Sequence, residues 1–224
     1  MQMEQRRLEG KPPCLRKEYT MNRPDNYQIQ AQQAKARFLT YDQERLIRKL
    51  GLDHDGEYLY ITMLSRKHRI RRDTGDMEKL VADLWVDANS HGEVMTVLDL
   101  ICDSREDRSV SGKWKAMGDF GRTFHRNLLE RADPWADQFA ADPEGFRRAC
   151  ETLGGKSFPT GDIAYVMDFF DGLQVLVQLW FAEEEFPAGL RLLWDENALQ
   201  YIKYETMYFA KGILLHRLKE IMET

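Results

Sequence analysis

The sequence predicts an α+β fold, and three observations carry that prediction. The stretches 57–64 (EYLYITML), Ile163–Phe170 and Leu173–Trp180 have strand length and are rich in aromatic and β-branched residues. Asp171-Gly172 separates the last two, a strong short-range hairpin signal. Capped segments of helical period surround them, one running to the C-terminus. The expected architecture is two antiparallel hairpins, at about 57–72 and 162–180, with a further short strand at 190–194. Several helices pack on them, and the last helix is long.

Composition allows such a core. Of 224 residues, 43% are hydrophobic and 11% aromatic, while a charged share of 31% suits an ordinary solvated surface. The net charge of -5, from 37 acidic and 32 basic residues, lacks the basic excess that nucleic acid or an anionic membrane selects. The three cysteines, Cys14, Cys102 and Cys150, are odd in number and form no Cys-x-x-Cys pair. They argue against a disulfide framework and against a zinc or iron–sulfur site made of thiolates alone. The opening MQMEQRRLEGKPP has no signal-peptide apolar core, and no run approaches the roughly 20 apolar residues of a membrane span. A cytoplasmic protein is expected.

Taken in order, residues 1–25 are polar, carry Pro12, Pro13 and Pro24, and read as an arm ahead of a single α+β domain over 26–224. Asn26 opens a helix. Thr40 with Gln43 reads as the capping box of a second, which Gly51 stops. KHRIRR returns antiparallel to EYLYITML after a turn at Ser65-Arg66, and another turn signal follows at 73–76. Ser90 with Glu93 caps VMTVLDLIC. Residues 113–121 read as a glycine-punctuated connection, 122–131 as a helix. Pro134 and Pro143 suit the first turns of two short helices, and Gly154-Gly155 ends the second. The runs flanking Asp171-Gly172 alternate only weakly, so both their faces should be covered. Asp195 or Asn197 is expected to cap the final helix, which extends to about Met222.

Chemistry is sought at the end of the second run. Glu183, Glu184 and Glu185 follow Trp180 just ahead of Phe186-Pro187, and strand ends beside rigid turns often hold functional side chains. Asp162, Asp195 and Glu205 belong to neighbouring elements. Gathered carboxylates raise one another's proton affinity or bind a hard cation. On this reading Glu184, Glu185, Glu205 and Asp162 are candidate acids and bases, and Glu183 and Asp195 candidate ligands of a divalent metal. Trp180, Phe186, Trp194 and Tyr165 are candidates to line a pocket for a flat ligand. The competing reading is a solvated charge run and ordinary core aromatics. The dense basic patch at 66–72 reads as a solvated strand edge, with a phosphate or acidic-partner site as its functional alternative. None of the five histidines shows metal-ligand spacing.

The order of motifs resembles a family known as a domain of unknown function, found mostly in anaerobic bacteria and archaea. The matching pieces are Asn26-Tyr27, His68-Arg69-Ile70, Leu153-Gly154-Gly155, Gly161-Asp162 and, most specifically, the stretch 180–187 followed by LWDENALQYIKYE. Where the family pattern has Asp-Glu-Glu-Phe-Pro, this chain has Glu183 first. Some members carry an additional iron–sulfur domain like that of corrinoid proteins. The resemblance implies a setting in anaerobic, corrinoid or one-carbon metabolism. With aromatics beside carboxylates, it leads to the expectation of a small-ligand or cofactor-binding protein whose ligand is a corrinoid or another tetrapyrrole-like or aromatic molecule. Two alternatives stand beside it. One is an enzyme using its clustered carboxylates; the other is an interaction module that meets a partner protein through residues 1–25 or 66–72.

Overall fold

The structure, a computed structural model, describes residues 25–120 and 134–224. The polar arm (but for Asp25) and the helix expected over 122–131 lie outside the described residues. Among the described residues the architecture is α+β: six helices and two antiparallel sheets.

Helix α1 (Asn26–Phe38) is capped by Asp25, with Gln28 completing the box. Helix α2 (Gln43–Leu50) is capped by Asp42 and not, as expected, by Thr40. The Asp42 carboxylate accepts the Arg45 amide at 3.1 Å, while the Thr40 hydroxyl donates back to the Arg37 carbonyl at 2.7 Å. Gly51, at φ 60°, ends α2 as expected.

The first sheet contains β1 (Tyr58–Met63), β2 (Arg66–Arg71), β3 (Met77–Val81) and β4 (Leu84–Asp87) in that order. The expected hairpin is its β1–β2 half, with Tyr60 opposite Arg69. The turn residues are Leu64 and Ser65, both at positive φ. Strands β3 and β4 extend the sheet beyond the sequence reading. Their hairpin turns at Ala82-Asp83, which adopts positive φ without a glycine to announce it.

Helix α3 (His91–Asp103) starts at Ser90, whose hydroxyl both receives the Glu93 amide and bonds its carboxylate. The segment expected as a plain connection contributes β5 (Trp114–Ala116). Helices α4 (Pro134–Ala141) and α5 (Pro143–Thr152) begin at the two prolines, as expected. Then come β6 (Lys156–Ser157), β7 (Ile163–Phe170), β8 (Leu173–Trp180) and β9 (Gly189–Asp195). The second sheet runs β5-β9-β8-β7-β6. Helix α6 (Tyr204–Met222) closes the chain. It starts later than Asp195 or Asn197 would place it. The Asp195 carboxylate is taken by the amides of Ser111, Gly112 and Asn197, so it closes a loop and caps no helix.

One continuous apolar cluster runs from Ala31 of α1 through both sheets to Leu218 of α6. Phe38, Phe139, Phe146, Phe169 and Trp194 are fully buried in it. Each such side chain contributes about 1.5–3 kcal/mol or more by leaving water. The opposite face of the second sheet is also covered at Ala164, Leu176 and Leu193, which explains the weak alternation of β7 and β8. The sheets meet where the Leu64 amide donates to the Phe169 carbonyl at 3.0 Å. Buried Asp99 of α3 accepts from Lys203 at 2.8 Å and from the Thr206 hydroxyl, tying α3 to the start of α6. No helix among the described residues is long and apolar enough to cross a membrane.

Candidate functional site

The side chains singled out in the sequence are dispersed by the strand register. β8 pairs with β9 so that Trp180 faces Gly189 and Val175 faces Trp194. The turn after β8 and the end of β9 therefore lie at opposite ends of the sheet. Glu183, Glu184 and Glu185 are all exposed in that turn, which the Glu183 amide closes onto the Phe186 carbonyl at 2.9 Å. Asp162 sits beside them and accepts the Phe181 amide at 2.6 Å. The Trp180 indole lies over Gly161 and Gly189, and Phe186 is 65% exposed. At the far end Asp195 is 1% exposed and committed to backbone amides. Trp194 is fully buried edge-on to Phe169. Tyr165 is buried and donates to Glu151 at 2.9 Å. Glu205 is exposed in the first turn of α6. Trp180, Phe186, Asp162 and the three glutamates thus share one end of a sheet; Asp195, Trp194, Tyr165 and Glu205 do not join them. Among the described residues no three His, Cys, Asp or Glu side chains are placed to hold a metal ion.

Charged groups converge instead in a cleft of about 470 Å³ between β2–β3, the N-terminus of α3 and α6. That size falls within the usual range of small-molecule sites. Strand alternation puts Arg66, His68 and Ile70 on the inner face of β2, and register puts Lys79 of β3 opposite His68. Along α6, Phe209, Ile213, Arg217 and Glu220 follow at helical spacing and make the facing wall. Gly92 and Gly212 keep the walls low: a methyl group on Gly212 would meet nothing within 4 Å.

The electrostatics of the cleft are uneven. Arg66, Lys79 and Arg217 face two carboxylates, Glu93 and Glu220. Lys79 bonds Glu93 at 2.6 Å and Arg66 bonds Glu220 at 2.5 Å. The Arg66 hydrogen bond holds the Glu220 carboxyl below the usual range. Burial pulls Arg217 down from the ordinary arginine value, and its Nε is buried with no hydrogen-bond partner among the described residues. An unpaired buried donor costs about 1–3 kcal/mol, so this arginine is held against its own solvation. Beneath the cleft, His68 is 2% exposed, and burial pushes it down to about 4. The first-turn amides of α3 add partial positive charge to the Ser90–Glu93 side.

The basic patch noted in the sequence is divided by the sheet. Arg66 enters the cleft. Arg69 lies on the other face, paired with Glu78 and sandwiched between the rings of Tyr58 and Trp85 at 4.3 and 4.5 Å. Arg72 turns to Gln43 and Glu44 of α2. Lys79, Glu93, Phe209, Arg217 and Glu220 were not anticipated. In the sequence Glu93 reads as the capping partner of Ser90, and Phe209 as part of the helical period of the last segment, which reads equally well as core.

A larger cleft of about 810 Å³ lies between the α1–α2 turn and the end of α3. Its charges answer one another: Arg45 pairs with Glu106 and Arg105 with Asp107. Lys49 donates to the carbonyls of Cys102 and Ser104 at 3.2 and 3.0 Å, closing the C-terminal end of α3. This cleft is the weaker candidate because, among the described residues, none of its cations has a buried nitrogen left without a hydrogen-bond partner, as Arg217 has in the smaller cleft.

No curated protein and no solved structure matches the chain. The model of the family described as domain of unknown function DUF3786 matches residues 42–217, a span that holds both sheets and every lining residue of the smaller cleft except Glu220, and the chain belongs to that family.

Proposed function

We propose that this protein binds a small molecule bearing an oxyanion, carboxylate or phosphate, in the cleft between β2–β3, α3 and α6. One observation carries the reading: Arg66, Lys79 and Arg217, from three separate elements, converge on a concave site that has an apolar wall of Phe209 and Ile213. Two arginines present planar forks suited to paired oxygens, and the lysine adds a point charge. The start of α3 supports negative charge at the same place. The apolar wall suits a ring or short aliphatic portion of the ligand.

Calorimetric titration with phenyl phosphate and with benzoate tests this. Saturable heat is expected from at least one of them. Arg217→Met should weaken binding by about tenfold or more, as loss of a charge-assisted hydrogen bond predicts. Replacing an arginine whose Nε is unpartnered should leave the fold intact. Wild-type affinity in Arg217→Met overturns the reading, as does absence of heat from both compounds at millimolar concentration in wild type and in Glu220→Gln alike.

The corrinoid implied by the family resemblance is proposed for a different place. Trp180 and Phe186 stand exposed at one end of the second sheet, beside Asp162 and the glutamates 183–185. Hydroxocobalamin belongs in the same titration. An absorbance shift that Trp180→Ala abolishes and Arg217→Met preserves would move the function to that turn.

A further inference from the structure

We infer that Glu220 occupies the anion position of the cleft as an internal stand-in for the ligand's carboxylate or phosphate, so that the ligand binds by displacing it. The inference rests on the oxyanion-binding reading and adds a competitor built into the chain.

The geometry is that of a bound carboxylate. One Glu220 oxygen accepts from Arg66 Nη2 at 2.5 Å, and the other lies 3.4 Å from Arg217 Nη1. A single two-oxygen group thus bridges guanidinium groups from β2 and α6, which is how a ligand oxyanion would be held. The two arginine side chains are largely covered, 12% and 18% exposed, whereas that of Glu220 is 43% exposed. The cations belong to the walls, and the acid reaches them from the solvent side.

Glu220 is also free to leave. It stands in the last turn of α6, three residues before the C-cap Glu223. Helix ends fray, so a rotamer change or opening of that turn vacates the position. The other carboxylate of the cleft differs. Glu93 is 14% exposed at its side chain and accepts from both Lys79 and the Ser90 hydroxyl within the cap of α3. Removing it would unmake a helix start, whereas removing Glu220 unmakes only the seat. Arg66 keeps Glu220 ionised at neutral pH, so its competition persists there.

The test titrates phenyl phosphate and benzoate, at pH 7, into wild type, Glu220→Gln and Glu223→Gln. Glu223 is exposed and outside the cleft, so its substitution removes the same charge without emptying the seat. Glu220→Gln is expected to bind about three- to tenfold more tightly, the scale of a partly exposed ion pair, with Glu223→Gln close to wild type. Binding by Glu220→Gln alone also supports the inference. Equal or weaker binding by Glu220→Gln than by wild type overturns it and leaves the oxyanion reading standing. Equal tightening in both variants also overturns it, because general charge then explains the gain. No binding by any of the three proteins overturns the inference and the underlying reading together.

Discussion

His68 is the residue whose surroundings make the clearest physical demand. It lies on the inner face of β2, with its Nδ1 3.1 Å from the Arg66 carbonyl and with Arg66, Lys79 and Glu93 as its charged neighbours. Burial pushes it from an ordinary 6.5 down to about 4. In the unfolded chain the same imidazole takes a proton as the pH falls through 6.5. Between those values the unfolded state binds more protons, so its contribution to stability is whole above pH 6.5 and declines toward pH 4. The slope from this group approaches about 1.4 kcal/mol per pH unit. Carboxylates held below their usual range by partners, Asp76 and Glu220 among them, lose stability in the same acidic direction. The His68→Leu substitution separates the contributions. Urea melts at pH 7 and pH 5 should show a smaller loss of stability in the variant than in wild type. Equal losses would place the acid sensitivity elsewhere.

At the scale of elements, legibility follows the local chemistry. Asp171-Gly172 takes positive φ at both residues, so the β7–β8 hairpin is written in the two residues best suited to that turn. Ser90 and Glu93 mark the start of α3 because their side chains bond the amides and hydroxyl beside them. The β3–β4 hairpin is silent by the same logic: Ala82 and Asp83 enter the left-handed region without glycine, and charged residues interrupt MEKLV. The start of α6 was misplaced because Asp195, a good cap by type, is consumed by a loop that starts 84 residues earlier in sequence. Gly155 offers a test of element packing. It follows α5, and a methyl group there would lie 2.6 Å from the Cys150 carbonyl oxygen and 3.1 Å from Met167 Cγ on β7. Gly155→Ala forces α5 and β7 apart and should cost about 1–3 kcal/mol in urea denaturation, the usual cost of overpacking. A loss of only a few tenths would mean that α5 can withdraw from the sheet freely.

Across the whole molecule, the candidate site was less legible than the fold because its parts are remote in sequence. Arg66 and Glu220 meet across 154 residues. Arg66 opens the basic run 66–72, which carries a phosphate-site alternative, but nothing in the sequence pairs it with Glu220. Glutamates 183–185 form a run that advertises chemistry, yet three adjacent like charges on a turn find their best solvation in water, where they lie. What brings Arg66 to Glu220 is the packing of α6 against α3 and α5, with the first sheet tied to α3 through Lys79 and Glu93. The same helix contributes Leu214, Leu215 and Leu218 to the cluster that also contains Phe169 and Trp194 of the second sheet. A cleft wall and a shared core are thus two sides of one helix, and the sheets should not unfold apart. Leu214 is fully buried, and Leu214→Ala should cost about 2–5 kcal/mol. Far-UV circular dichroism follows both sheets and the helices. Tryptophan fluorescence in a Trp85→Phe background removes the reporter on the first sheet and retains Trp114, Trp180 and Trp194 on the second, with Trp135 on α4. One urea transition, with coincident midpoints by both probes, is expected in wild type and in Leu214→Ala, the variant simply shifted to lower urea. Midpoints that separate, or a Leu214→Ala transition that moves by one probe alone, would show that the two sheets are stabilised independently and that α6 does not couple them.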